Sequence, residues 1–316
     1  MARLPPRPDL EEMRRRAEES AGGQPALARE YGFPSWSRLE AEVERRAVLD
    51  AVDVEALSTL LGADPGRATE VMRPWSDHPL GVAPLSYVAM MRFDTTRGLW
   101  RDVPGSADLA RTLLAAGATA DGEPGCPETP LMTAASYGDP AVARVLLDAG
   151  ADLGRTAADT AGGVPGGTAL DHAAVFGMTE VVDVLTAAGA RPSRISIAAA
   201  TGDVTGWLDD RAPEDERVRA LVMAARHGRT AVIDDLVAGG TPVDAVDPMW
   251  GGHPLRSAVS CPAGVRRLLE HGADPGLRDG VGRTALDLCR IGHREHPDAD
   301  GYAEVEALLV SLTEPS

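Results

Sequence analysis

The chain has 316 residues, 44% of them hydrophobic and only twelve aromatic (five Trp, four Tyr, three Phe), with a formal net charge of −17. Its 31 basic residues are all arginine, because the sequence contains no lysine. A nucleic-acid partner needs a basic stripe to neutralise phosphates, so composition argues against nucleic acid and, for the same reason, against an anionic membrane surface.

Cys126, Cys261 and Cys289 are odd in number and far apart, a pattern of reduced thiols rather than a disulfide framework. No apolar run approaches the ~20 residues of a membrane span, and no charged start precedes an apolar core as in a signal peptide. A cytoplasmic protein is expected. With no asparagine, N-glycosylation cannot occur.

Residues 1–8, rich in proline and arginine, are expected to be unstructured. Asp9–Ser20 alternates acids and bases at helical spacing and reads as a solvated helix. After the Gly22-Gly23 break, Ser35 can cap a helix running to about Arg46, with Tyr31, Phe33 and Trp36 as apolar bulk. Residues 1–46 are thus an N-terminal helical segment with a disordered start, covering the open end of a stack formed by 47–316. Val48–Gly62 gives a degenerate helix pair with Val54, Leu57, Leu60 and Leu61 as its core. The next pair begins at Ala83 and is split by an insertion over 93–106.

The clearest unit is 129–152. Thr129 has the oxygen that an N-cap needs, and Pro130 fits the first helical position. Leu131, Ala134 and Ala135 form an apolar stripe that Gly138 terminates. Pro140 opens a second helix, with Val142, Val145, Leu146 and Leu147 on its buried face and Gly150 at its end. One such pair cannot cover both apolar faces, so copies must stack. Copies of the start recur at Ala83-Pro-Leu, Thr168-Ala-Leu, His253-Pro-Leu and Thr284-Ala-Leu. Copies of the end recur at Leu113-Leu-Ala-Ala-Gly, Leu185-Thr-Ala-Ala-Gly and Leu268-Leu-Glu-His-Gly. Gly117 and Gly150 lie 33 apart (150 − 117), as do Gly239 and Gly272 (272 − 239).

That period, with a Thr-Pro-Leu start and a Gly-Ala-Asp end, resembles the ankyrin repeat over roughly residues 47–312. The resemblance implies an all-α solenoid of seven or eight helix pairs with short β-hairpin fingers, and the segment around Pro25–Val43 looks like one that precedes such arrays in some bacterial proteins. Further along the chain, the finger near 155–167 is lengthened; its glycines lack the preceding strand and following Gly-Lys of a phosphate loop. Two compressed pairs come next, Ile195–Asp210 and Val218–Ala238, each lacking the length for a finger. The final repeat carries a second insertion, 292–301.

In the ankyrin family the contact surface is usually the concave side, formed by finger tips and the end of each first helix. Carried over by register, it comprises Trp75, His78, Met90, Met91, Tyr137, Phe176, His227, Trp250, His253 and Cys261. Rigid aromatics with low ordering cost are what binding hot spots use, and methionine suits an adaptable apolar surface. Phe176 and Tyr137 have a competing reading as packing against the next repeat. No catalytic set is convincing: Asp209-Asp210 and Asp234-Asp235 read as solvated faces, and His293, His296, Asp298 and Asp300 as a polar insertion rather than a metal site, with His172 and His271 structural. The expectation is a non-enzymatic, monomeric binding module for another protein, with no cofactor and no metal. The alternative is a small-molecule pocket using His78, His227 and His253 as acid or base, or Cys261 as a thiol activated by Arg226 and His227.

Overall fold

The computed structural model describes residues 2–5, 7–73, 81–94, 97–208, 212–296 and 300–313. By its contacts the chain divides into two compact units, one of residues 1–98 and 102–152, the other of 99–101 and 153–316. No helix among the described residues is long and apolar enough to cross a membrane.

Unit 1 holds α1 (Leu10–Glu19), α2 (Gly23–Glu30), α3 (Trp36–Asp50), α4 (Val54–Ala63), α5 (Pro84–Met90), α6 (Ser106–Ala115), α7 (Pro130–Tyr137) and α8 (Pro140–Asp148). Two layers result. The first helices α5 and α7 pack side by side, while α4, α6 and α8 form the row behind them. The start of the chain is more ordered than its composition suggests: the Ala2 N–H donates to the Glu30 carbonyl at 2.9 Å, and Leu4 is only 1% exposed. Helix α1 is likewise not wholly solvated, because Met13 and Ala17 are buried among its neighbours. Helix α3 runs past Arg46 to Asp50, since nothing in Arg46-Ala-Val-Leu breaks it, and Asp53 then caps α4.

Unit 2 holds α9 (Ala169–Phe176), α10 (Thr179–Ala187), α11 (Ile195–Thr201), α12 (Glu214–Arg226), α13 (Thr230–Ala238), α14 (Pro254–Ser257), α15 (Pro262–Glu270), α16 (Ala285–Glu295) and α17 (Asp300–Thr313). The first-helix row is α9, α11, α12, α14 and α16, each packed on the next. One expected pair differs. After α11, residues 204–208 form turns rather than a second helix, because Asp203 and Gly206 break the run before an apolar face develops. The rest of that segment, 209–211, lies outside the described residues.

The start signals act as caps. The hydroxyls of Thr129, Thr168 and Thr284 each accept from the backbone N–H three residues on, and the Asp171 and Asp287 carboxylates answer the threonine N–H, completing two reciprocal caps. The end signals are equally regular. Leu113, Leu146, Leu185, Leu236 and Leu268 are all 0% exposed. Each of their carbonyls accepts from the N–H five residues later, at 3.0 Å: Ala118, Ala151, Ala190, Thr241 and Ala273. The intervening glycine has positive φ in every case, 84–105° at Gly117, Gly150, Gly189, Gly240 and Gly272. This is the six-residue closure of a helix through a left-handed glycine. It also shifts one register mark, since Gly240 rather than Gly239 is the equivalent of Gly272.

The fingers beyond these glycines are turns closed by one or two hydrogen bonds rather than extended ladders, as between Ala157 and Gly167, Asp247 and Gly252, and Asp279 and Arg283. Adjacent fingers are held in register by one repeated bond. The Asp152 N–H donates to Asp121 at 2.9 Å in unit 1, and the Asp274 N–H to Asp244 at 3.2 Å in unit 2. The insertion at 93–106 carries two short strands, β1 (Phe93–Asp94) and β2 (Leu99–Trp100).

Inside unit 2, Gly264 lets α15 touch α12, and a methyl group there would overlap the Ala225 carbonyl. Gly264→Ala should therefore lower stability by about 1–3 kcal/mol in urea unfolding despite alanine's better helix propensity. Unchanged or increased stability would show that the two helices are not in backbone contact.

Candidate interaction site

The residues that register assigns to the contact surface fall into both units. Trp75 and His78 lie outside the described residues.

In unit 1, Met90 ends α5 half-buried, whereas Met91 is 5% exposed and belongs to the core. Tyr137 ends α7 half-buried, and burial, with Glu128 nearby, pushes its phenol up from the usual value. Arg92 fixes this corner by donating to the Gly138 carbonyl and to Asp102.

In unit 2 the end of α9 splits into one presented and several enclosed groups. Phe176 is 43% exposed, with its ring 6.4 Å from that of His172. His227, expected in the groove, is instead 3% exposed. Its Nε2 lies 2.9 Å from the Ala174 carbonyl, which only accepts, so Nε2 carries the proton and Nδ1 accepts from the Thr179 hydroxyl at 2.8 Å. Beside it Arg226 donates to the Val175 carbonyl, and Arg229 donates to the Ala200 carbonyl at 2.8 Å and to Asp183. Ala174, Val175 and Ala200 are carbonyls in the last turns of α9 and α11; the Ala174 carbonyl also accepts from the Gly177 N–H at 3.2 Å. The three side chains in and just after the end of α12 thus donate to carbonyls at the ends of α9 and α11. Burial holds the His227 pKa down at about 4.

His253 is also buried. It is 2% exposed and stands where other repeats have the capping threonine, its Nδ1 accepting the Arg256 N–H at 3.4 Å. Burial lowers its pKa. Cys261 is half-buried at the start of α15, with its sulfur against Gly228. Both His227 nitrogens are engaged elsewhere, so that imidazole does not serve the thiol. The Asp234 carboxylate, expected to face solvent, accepts from Arg267 through both oxygens and from His271 at 2.7 Å.

The finger 241–253 presents an apolar surface. Asp247 is 0% exposed; one of its carboxylate oxygens accepts from Arg219 at 3.2 Å and from the Met249 N–H at 3.0 Å. The Arg219 guanidinium in turn lies 5.8 Å from the Trp250 ring centroid. A buried acid thereby fixes an arginine, and the arginine backs one face of the tryptophan. The side chains around it are open to solvent: Trp250 is 38% exposed, Val246 57% and Met249 66%. On the next finger Val281 is 73% exposed. Val246, Met249 and Val281 escaped the reading from register, which weighted aromatics. The available signal was apolar residues at tips where turn chemistry favours polar ones.

In unit 2, Trp100 stacks on His296 at 5.6 Å and His296 on Tyr302 at 5.5 Å. The 292–301 insertion is largely absorbed by extension of α16 to Glu295 and the start of α17. Among the described residues no group of three or more His, Cys, Asp or Glu is gathered as a metal ion would require.

Residues 103–196 match the family model described as ankyrin repeats (3 copies). No curated protein matches the chain. Among solved structures, the crystal structure of the human ASB11 ankyrin repeat domain is 24% identical, covering 74% of this chain and 99% of that one at a TM-score of 0.34.

The burial of His227 has a pH consequence. Its folded pKa of about 4 lies below the ordinary histidine value of 6.5, so between those values the unfolded chain binds more protons. Stability should be flat above about pH 7 and fall as pH drops from 6.5 towards 4, by up to roughly 3 kcal/mol from this residue. Burial of His253 acts in the same direction. Urea unfolding at pH 7 and pH 5 measures the loss, and His227→Gln should shrink it. An equal loss in that variant would place the titrating group elsewhere.

Proposed function

We propose that this chain, whose residues 103–196 match the ankyrin-repeat model, is a binding module that takes another protein on the finger tips of unit 2. Ankyrin repeats are generally protein–protein interaction modules. The observation that carries the reading is the exposed apolar run Val246, Met249 and Trp250, with Val281 exposed on the finger that follows in sequence. Such residues gain most when covered, and Trp250 is already held by Arg219, so little ordering cost remains on binding. Phe176 is a further anchor in the same unit. The net charge of −17 favours a partner whose contact surface is basic around an apolar centre.

The acid–base alternative loses two of its three histidines, because His227 and His253 are engaged by a helix carbonyl and a helix cap. Both side chains are buried, and His227 is engaged through both ring nitrogens.

Affinity capture from extract of the source cells, with wild type beside Met249→Ser/Trp250→Ala, tests the proposal. A protein retained by wild type should be weakened at least about 30-fold by the double substitution, as for a hot spot of about 2 kcal/mol. The thermal midpoint should stay nearly unchanged. Undiminished capture, or a large loss of stability, would assign these side chains to packing.

A further inference from the structure

Most arginines of this chain answer a carboxylate or a carbonyl, but a hollow in unit 1 gathers more guanidinium than acid. It lies between α3 and residues 67–73, encloses about 110 Å³, and is walled by Phe33, Arg38, Arg45, Arg67 and Arg73 with Glu42 and Glu70. The two acids do not neutralise the four arginines. Glu42, 6% exposed, is occupied: one oxygen accepts from Arg46 at 3.2 Å and from the Arg73 N–H at 2.9 Å, and the other from Arg45. Glu70 reaches only Arg38, at 3.6 Å and half in solvent.

The arginines differ in what they have left to give. Arg45, 2% exposed, is a fixed wall, since it also donates to the Arg67 and Glu70 carbonyls at 3.0 and 2.9 Å. Arg67 uses one nitrogen on the Ala41 carbonyl at 3.1 Å and stands 3.5 Å from Asp64. Arg73 makes no ion pair among the described residues. Its guanidinium lies 5.5 Å from the Phe33 ring centroid, held by the aromatic face with its N–H edge unused. A concave surface focuses this excess positive charge, and the guanidinium fork matches the paired oxygens of a carboxylate or phosphate.

We propose that the hollow binds a small oxyanion, a phosphate or a short-chain carboxylate, held by Arg73 and Arg38 with the remaining N–H groups of Arg67. In a chain of net charge −17 such a site takes a free small anion against the overall field, so short contacts must supply its affinity.

Thermal unfolding of the full chain tests this with sodium phosphate, sodium acetate and sodium chloride at matched ionic strength. Wild type should show a saturable rise in midpoint with phosphate or acetate that chloride does not reproduce. Arg73 is exposed, so Arg73→Ala should fold normally and shift half-saturation at least about tenfold upward, as loss of one charge-assisted fork implies. Arg144→Ala, an exposed arginine on α8, should titrate like wild type. The lower half-saturation of the two anions identifies which oxyanion the hollow prefers. Equal rises with chloride, no rise with either oxyanion, or a wild-type titration in Arg73→Ala would overturn the proposal.

Discussion

The hydrogen bond from the amide five residues beyond each buried leucine back to that leucine's carbonyl is the constraint on which the remaining structure depends. It closes the second helix through a glycine with positive φ and turns the chain out of the layer. Because that geometry returns in five repeats, leucines 113, 146, 185, 236 and 268 all reach complete burial while the residues after them are delivered into fingers. A helix pair has two apolar faces and can cover only one by itself, so burial at these leucines requires the next copy to be present. The buried core and the solvent-exposed fingers therefore come from opposite ends of one motif.

Where the motif is incomplete, side-chain chemistry takes over. After α11 the described residues form turns, and His227, Arg226 and Arg229, in and just after the end of α12, donate to helix-end carbonyls at Ala174, Val175 and Ala200. Positive groups at helix C-termini are favourable in their own right. At His227 burial outweighs that preference and disfavours the protonated ring, which ties the integrity of this region to pH. The exclusive use of arginine fits the same pattern of contacts: a planar fork can cap carbonyls, pair with Asp247 or Asp234, and lie over Trp250 or Phe33, where a lysine ammonium has no matching plane.

Much of the architecture was legible in the sequence because the signals were local. Threonine with proline or alanine marked the caps, and the leucine-to-glycine spacing marked the helix ends. The capping role of His253 was hidden by its polarity: it resembles a functional histidine until its place in the threonine position is recognised. His227 was misplaced for a different reason. Its partners, Ala174 and Thr179, are 53 and 48 residues away, and nothing local announces a neighbour at that distance. Exposed Val246 and Met249 carry no signal singly, because lone aliphatic residues on a surface are ordinary; only their place in one finger with a braced tryptophan makes them informative. The arginine hollow was invisible for a related reason, since it joins α3 to a segment about twenty or more residues further along.

Amide hydrogen exchange under native conditions reads the central constraint directly. The N–H groups of Ala118, Ala151, Ala190, Thr241 and Ala273 should exchange as slowly as the interiors of α8, α10 and α12, while those of Val246 and Trp250 at the finger tip exchange orders of magnitude faster. Fast exchange at the five closing amides, or protection at the tip equal to theirs, would contradict an architecture built on a repeated helix closure that sets the core and presents the fingers.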